Sequence, residues 1–483
     1  QQKFREMIQK IGDLGRHLGD ELAIAIPADA AGHDEDVPVI MAEVTDENLF
    51  RAVLEQEIAE IKAKGDGDII IVEDPAALSG ILRDGMYLWV GNGLFVASPN
   101  GSQIARIAAG GTSPFAGTPF RARIAQEYQD GAGWLFAADL AGFMSEEAPD
   151  PEAEALGVRD LQHFIVNRQE VEGRADTRAA LTFSQQRRGM ASWLAAPAPM
   201  GALSFISPDA NLASAFIVRQ PASVLDDMLA ISPEMAQELE KIKREHGFDV
   251  REDLAAPLGG EFAFAVDGPL LPTPSWKLVA EVYDPARLQQ TLEKMVEHVN
   301  AELRDEGEAG QMTMRQEEVG DRTFYTIQCQ KPKVGFDYTF EDGYLVAAPT
   351  RALLERALQQ RDSGVNLASH PKFRDLLGQD GQVNVSAFFY QNLQPVLESA
   401  GKLVPEEMKQ KQGQIQSLIL GQGPTLIYAY AEEDRILFAS SSTSPLGLNL
   451  QTLAGMGGIL GMMDEAHGEA ERMQAETSAD ETR

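Results

Sequence analysis

Apolar and polar residues alternate over Leu18–Ile26, with Leu22, Ile24 and Ile26 on one side and Glu21, Ala23 and Ala25 on the other. A period of two places successive side chains on opposite faces of a β-strand. The pattern returns at Leu258–Val266, where Phe262, Phe264 and Val266 oppose Glu261, Ala263 and Ala265. One face of each strand is bulky and apolar. The other is small enough for a helix or a second sheet to approach closely. Both faces are therefore expected to be covered, with the glutamate at the strand entrance near water.

The segments that follow return in the same order. A second strand, Pro38–Val44, matches Trp276–Val282. A helix opens at Thr45-Asp46 in one case and Asp284-Pro285 in the other, since Asp caps a helix start and Pro suits its first position. Phe50, Leu54, Ile58 and Ile61 form an apolar stripe, paired with Leu288, Leu292, Val296 and Val299. That spacing lies on one helix face, which must pack on the sheet. Next come two hairpins turning at Asn92-Gly93 and Asp342-Gly343, dipeptides suited to the positive φ of a tight turn. Their strands are Met86–Val90 with Leu94–Ser98, and Phe336–Phe340 with Tyr344–Ala348. Helices carrying Ile104 and Arg106, or Leu354 and Arg356, follow. Phe115–Leu140 then matches Leu367–Leu393, and each half closes on a hairpin: Leu161–Val166 with Ala179–Phe183, and Thr425–Tyr430 with Ile436–Ala439.

These correspondences predict an α+β fold of two tandem duplicated units, each a mainly antiparallel sheet with helices packed on it. The first unit is 1–200 and the second 201–445. The halves differ in two places. An acidic stretch, Ser145–Glu152, stands where the second half has an amphipathic helix near Pro405–Leu420. The second half also has an opening with no counterpart ahead of Leu18. It comprises expected strands at Ala202–Ile206 and Ala215–Val218 and a helix from about Ser223 to His246. The first unit is thus N-terminally truncated relative to the second, and its missing opening is expected either upstream of Gln1 or from a partner. After the second unit come an apolar Gly-rich segment, 446–463, and an acidic tail, 464–483, expected to be disordered.

Charge narrows the partners. The chain carries 74 acidic and 41 basic residues, a net of −33. Such a surface repels phosphate backbones and anionic lipid, so nucleic-acid binding is not expected. Leu446–Met463 is free of charge and contains Gly457 and Gly461 at a helix-packing spacing. Its five glycines with Asn449 and Gln451 favour docking on protein over crossing a membrane.

Candidate chemistry is sparse. Glu21 and Glu43, with their matches Glu261 and Glu281, are paired carboxylates of the kind used in general acid–base hydrolysis. Against that reading, both halves keep both residues without a local His or Arg, which suits a capping or solvated role. The one cysteine, Cys329, lies in the strand-like run Tyr325–Cys329 and reads as a buried structural thiol. Seven histidines (His17, His33, His163, His246, His298, His370 and His467) are scattered, and none forms a metal-binding pattern. Gly32–Asp36 and Asp66–Asp68 are acidic loops without calcium-loop spacing. Gly455–Gly461 lacks the strand and βαβ frame of a dinucleotide loop. No catalytic, cofactor-binding or metal-ligating residue is therefore assigned, and no cofactor is expected.

The phrase Phe248-Asp249-Val250-Arg251-Glu252-Asp253-Leu254, followed by Leu258-Gly259-Gly260-Glu261-Phe262-Ala263, resembles a bacterial family of exported proteins, the domain of unknown function 3352. The strand and helix order after it is similar too, with Asp-Gly-x-Leu-Val-Ala before a helix and a Pro-x-Phe turn after it. The resemblance covers most of the second unit and, more faintly, the first, where Gly12-Asp13-Leu14-Gly15 replaces the acidic lead-in. It implies an extracytoplasmic location in the periplasm or cell envelope, often behind an N-terminal membrane anchor, and offers no catalytic residues. The expected function is a non-enzymatic structural or binding protein that scaffolds or docks a protein partner. Two alternatives remain: a carrier holding an apolar ligand between sheet and helices, in a cavity lined by Phe262 and Phe264, or a carboxylate-dependent hydrolase.

Overall fold

The computed structural model describes residues 17–26, 37–64, 68–82, 85–110, 114–141, 156–171, 174–268, 274–305, 312–330, 334–377, 384–392 and 424–442. The chain divides into two compact bodies, Gln1–Ala122 and Arg123–Arg483. The division falls within the 1–200 span that the sequence pattern groups together, because the strands after Ala122 hydrogen-bond into the larger sheet.

The first body holds a five-stranded sheet in the order β1-β2-β5-β4-β3, built from β1 (Leu18–Ala25), β2 (Val39–Val44), β3 (Asp68–Val72), β4 (Gly85–Gly91) and β5 (Leu94–Ser98). All pairs are antiparallel except β3 with β4. Asp46 accepts a hydrogen bond from the Leu49 amide at the start of α1 (Glu47–Lys64), as a capping Asp should. The stripe Phe50, Leu54 and Ile58 packs with Val44, Leu88, Val90 and Ala97 on one face of the sheet. On the other face Ile104 of α2 (Gly101–Ala108) packs with Val39, Val72, Trp89 and Val96. The β4–β5 turn has Asn92 at φ 56° and Gly93 at φ 73°, the left-handed geometry its dipeptide predicts. α3 (Pro119–Gln129) spans the boundary in sequence.

The second body is a 13-stranded sheet in the order β12-β13-β14-β15-β11-β10-β9-β16-β17-β18-β8-β7-β6. Its early strands are β6 (Trp134–Asp139), β7 (Leu161–Val171), β8 (Arg174–Phe183) and β9 (Leu212–Ile217). Then come β10 (Leu258–Val266), β11 (Trp276–Val282), β12 (Met312–Val319), β13 (Arg322–Cys329), β14 (Val334–Glu341) and β15 (Tyr344–Ala348). The last are β16 (Ala387–Gln391), β17 (Thr425–Ala431) and β18 (Arg435–Ser442). The hairpins β16-β17-β18 and β8-β7-β6 meet at the antiparallel β18–β8 pair and run outward from it in mirrored order. The described pairs of this sheet are antiparallel throughout, so the α+β, mainly antiparallel expectation holds.

β10 and β11 pair as β1 and β2 do. Leu22 faces Ala42 and Ile24 faces Ile40, with an irregularity between Leu18 and Leu22. Phe262 faces Ala280 and Phe264 faces Leu278, with an irregularity between Leu258 and Phe262. Asp284 accepts from the Arg287 amide to start α6 (Pro285–Asp305), and the β14–β15 turn has Asp342 at φ 49° and Gly343 at φ 81°. Leu292 and Val296 of α6 pack with Ile327, Tyr338 and Ala347. On the opposite face Leu354, Ala357 and Leu358 of α7 (Arg351–Ser363) pack with Ala263, Ala265, Val279 and Val346.

The structure departs from the sequence reading in several places. Ala202–Ile206 is not a strand but mainly a 3-10 turn, Gly201–Phe205. The expected helix from Ser223 to His246 is two, α4 (Pro221–Ile231) and α5 (Pro233–His246). Pro233 has no amide hydrogen to continue the first helix, and the Ser232 hydroxyl accepts from the Met235 amide to start the second. The parallel strand β3 and the strand β12 exceed the elements read from the pattern, while β13 contains the strand-like run Tyr325–Cys329. Pro371 opens only a four-residue turn, α8 (Pro371–Arg374), where α3 runs for 11 residues. The Ser145–Glu152 stretch, the Pro405–Leu420 helix, the Gly32–Asp36 loop, the 446–463 segment and the 464–483 tail lie outside the described residues.

Candidate functional site

The two faces of β10 have opposite fates. Ala263 and Ala265 are buried, and beside them Ala215 and Ala213 of β9 are buried too. These four small side chains let Phe205, Ile206 and α7 seat close to the sheet. The bulky side points the other way. Phe262 stacks on Phe216 with ring centroids 5.5 Å apart, and Phe264 faces Leu278 across the ladder. Phe216 is 41%, Phe264 38% and Leu278 41% exposed. α6 shields the continuation of this face over β13–β15 and stops short of the row. The same happens in the first body, where α1 covers the sheet centre while Leu22 is 58%, Ile24 64% and Ile26 65% exposed. The expectation that both faces are covered thus holds at the sheet centres and fails along these rows. Phe262 and Phe264 line an outer surface, not a space between sheet and helices.

The carboxylates have structural partners. Glu281 Oε2 accepts hydrogen bonds from the amides of Gly260 (2.9 Å) and Glu261 (3.3 Å), the backbone groups that the β10 irregularity turns out of the ladder. Its side chain lies over Gly259, where a Cβ would collide with the carboxylate. Glu43 lies over Gly19 in the same way. This explains why Leu-Gly and a strand-end Glu recur together: glycine makes room for the carboxylate that closes the bulge.

Glu261 sits on the small face and is buried. It accepts from the amides of Ala202 (2.6 Å) and Gly201 (3.2 Å) and from the Tyr344 hydroxyl (2.8 Å), so it caps the 3-10 turn. Burial pushes its carboxyl up from the ordinary glutamate range, against the lowering effect of these donors. Burial likewise raises the Tyr344 phenol, helped by its bond to Glu261. Glu21, the matching residue, is exposed. A raised carboxyl in a cleft would favour hydrolysis, but the Ala202 and Gly201 amides and the Tyr344 hydroxyl that hold Glu261 belong to the fold.

One buried group escaped the sequence reading. Lys277 Nζ lies 2.6 Å from Asp267 Oδ2, and both side chains are nearly inaccessible. The ammonium also donates to Gln360 Oε1 (2.7 Å) and the Phe205 carbonyl (3.3 Å), while Asp267 accepts from the Ser207 amide (2.9 Å). Desolvation lowers the Lys277 pKa, opposed by Asp267. The signal was available: Lys277 occupies an inward position in an otherwise apolar alternating strand. The pair clamps the 3-10 turn to β10 and β11 behind the Phe264–Leu278 row.

The remaining candidates do not assemble. Among the described residues no group of three or more His, Cys, Asp or Glu is placed to hold a metal ion. His246 and His298 come together with ring centroids 3.5 Å apart, a contact their sequence spacing concealed. Cys329 ends β13 half-buried, more accessible than the sequence suggested. A groove of about 300 Å³ beside α6 is lined by Gln289, Glu293, Glu297, Met314, Arg315 and Tyr325, without a nucleophile paired to a base. Among the described residues no helix is long and apolar enough to cross a membrane.

The family phrase forms a compact cap. The Asp249 carboxylate accepts from the amides of Arg251 (3.0 Å) and Glu252 (3.1 Å), opening the π-helical turn Val250–Ala255. Asp253 accepts from the Asp249 amide (2.9 Å) and from Arg287 (3.3 Å), tying the turn to α6. These residues set the entry into β10.

Comparison with curated proteins finds no match. Two crystal forms of TP0453 align with TM-scores of 0.27 each. Form III shares 11% identity over 53% of this chain and 85% of that one, and form I shares 10% over 55% and 87%. Residues 230–425 match the family described as protein of unknown function DUF3352, so this part of the chain carries the domain that the Phe248–Ala263 phrase resembles.

Proposed function

We propose that this protein is a non-enzymatic extracytoplasmic scaffold of the bacterial envelope that docks a protein partner, built by tandem duplication of one sheet-and-helix unit. The carrying observation is the apolar row Phe216, Phe262, Phe264 and Leu278, left partly open on the larger sheet. Contiguous exposed aromatics on a soluble protein mark an interaction surface more often than isolated exposed residues do. The rigid backing is the second support. The row is carried on central strands, and the Lys277–Asp267 clamp and the Glu261 cap hold the layer behind it. The duplication reading is supported by the shared register and irregularity of β1–β2 and β10–β11 and by the shared Gly/Glu packing. The extracytoplasmic placement rests on the family resemblance.

A photo-crosslinking residue at Leu278, introduced in cells of the source organism, tests the docking. One discrete protein adduct should form. It should disappear with Phe216→Glu/Phe264→Glu while the circular dichroism of the purified variant stays unchanged. Absence of an adduct, or an adduct indifferent to those charges, would refute the reading.

A further inference from the structure

β10 and β1 share register, bulge and side-chain pattern, but not their second neighbour. β10 is flanked by β11 and by β9, whereas among the described residues β1 pairs with β2 alone and stands at the end of its sheet. A terminal strand offers a row of backbone donors and acceptors for pairing with another chain. Natural edge strands are usually guarded by charge, proline or brevity. β1 carries charge and an irregularity only at its entrance, at Asp20 and Glu21, and beyond them presents Leu22 and Ile24, at 58% and 64% exposure, with Ile26 at 65% just past its end. Its small side carries Ala23 and Ala25, with Ala25 packed against the core around Val96 and Ile104.

We propose that the β1 edge binds an extended strand of a partner protein, added antiparallel to β1 as β9 is added to β10. This inference rests on the partner-docking reading above and gives it a second site and a class of ligand. The β9–β10 ladder supplies the chemistry. Ala263 pairs Ala215, Ala265 pairs Ala213, Phe264 pairs Ser214 and Phe262 pairs Phe216. Transferred to β1, the ligand strand places small residues opposite Ala23 and Ala25. It places a small polar residue beside Ile24 and a large apolar one against Leu22. Anything larger opposite the alanines would meet the layer on the small face. Extending the register puts the position of Arg219 beside Gly19 and exposed Asp20, so a basic residue after the strand suits an acidic edge. The recognition mode is β-augmentation, in which main-chain hydrogen bonds give affinity and alternate side chains give selectivity.

The test uses residues 1–483 and a fluorescent peptide of residues Asn211–Gln220, followed by anisotropy. The peptide should bind saturably. Leu22→Glu/Ile24→Glu, at exposed positions that leave the core intact, should weaken it at least tenfold. Two further peptides, N-methylated on alternate residues, should separate. The set whose amides face β1 should lose at least tenfold and the other set should keep its affinity. If both N-methylated peptides bind equally well, contact is through side chains alone. The strand proposal then falls while the docking reading stands. If no peptide binds, or if the β1 variant binds as well as wild type, the proposal falls on its own, and the Leu278 crosslink still decides the docking reading. Sedimentation showing a dimer that the β1 variant abolishes would give the edge to a second copy and overturn the partner strand.

Discussion

Replacing Lys277 with alanine removes a cation held inside the layer between the 3-10 turn and the β10–β11 ladder. Three acceptors lose their donor: Asp267 Oδ2, Gln360 Oε1 and the Phe205 carbonyl. The carboxylate then keeps the Ser207 amide at 2.9 Å, in a site from which water is nearly excluded. Removing one member of a buried pair costs about 3–5 kcal/mol, because the remaining charge is left uncompensated. An orphaned neutral acceptor costs about 1–3 kcal/mol. These ranges overlap, since the first already contains part of the lost hydrogen bonding, so about 4 kcal/mol is expected for Lys277→Ala. The double variant Lys277→Met/Asp267→Leu removes both charges and fills the volume, and should lie within about 2 kcal/mol of wild type. Because the chain forms two bodies, a single global melting curve mixes transitions. Urea dependence of hydrogen exchange in peptides spanning β10 and β11 isolates the relevant one. A loss below about 1 kcal/mol for Lys277→Ala, or equal losses for the single and double variants, would refute the clamp.

Three other changes probe the same architecture. Gly259→Ala places a methyl group in the path of the Glu281 carboxylate and should cost about 1–3 kcal/mol, measured by urea unfolding; Gly259→Ser should cost no less. Ala265→Leu overpacks the small face and should cost at least as much, whereas Phe264→Ser on the open face should cost less, a contrast that hydrogen exchange in peptides spanning β10 resolves. Glu261 has its folded-state pKa raised, so the folded protein holds that proton more tightly than the unfolded chain. Its contribution to stability is therefore fully present below the unfolded pKa and is lost as pH rises through the folded one. The stability of Glu261→Gln relative to wild type should climb as pH rises out of the ordinary glutamate range towards the raised folded-state pKa, and a flat difference in urea titrations over that rise would contradict the assignment.

Periodicity and turn chemistry made much of the fold legible. Alternation in Leu18–Ile26 and Leu258–Val266 predicts strands, and β1 and β10 occupy them to within a residue. Asn-Gly and Asp-Gly predict two left-handed turns, both present. Capping by Asp46 and Asp284 works because a side-chain oxygen reaches an amide three residues on, an interaction wholly local in sequence. The failures are also physical. Ala202–Ile206 has strand-like composition, yet Glu261, about sixty residues away, captures its leading amides and winds it into a turn. β3 was missed because a short apolar run without alternation does not distinguish a buried strand from a helix segment.

The candidate site divides in the same way. The sequence by itself determined which residues share a strand face, where helices begin, and that Gly19 and Glu43 recur as Gly259 and Glu281. Each of these is a property of near neighbours or of the repeat. Only the tertiary structure decided that the small alanine face is the buried one and the Phe262–Phe264 face the open one. Both faces of β10 are uncharged beyond Glu261, so alternation alone separates them without saying which meets solvent. That choice belongs to the helices. α7 and the 3-10 turn can approach closely only where side chains are small, and α6 shields its face of the sheet over β13–β15 without reaching the β9–β11 row. The Lys277–Asp267 pair, the Glu261 cap and the unequal neighbours of β1 and β10 all arise from contacts between distant segments. No local pattern encodes them, and there the structure gave two strands of matching sequence pattern different neighbours.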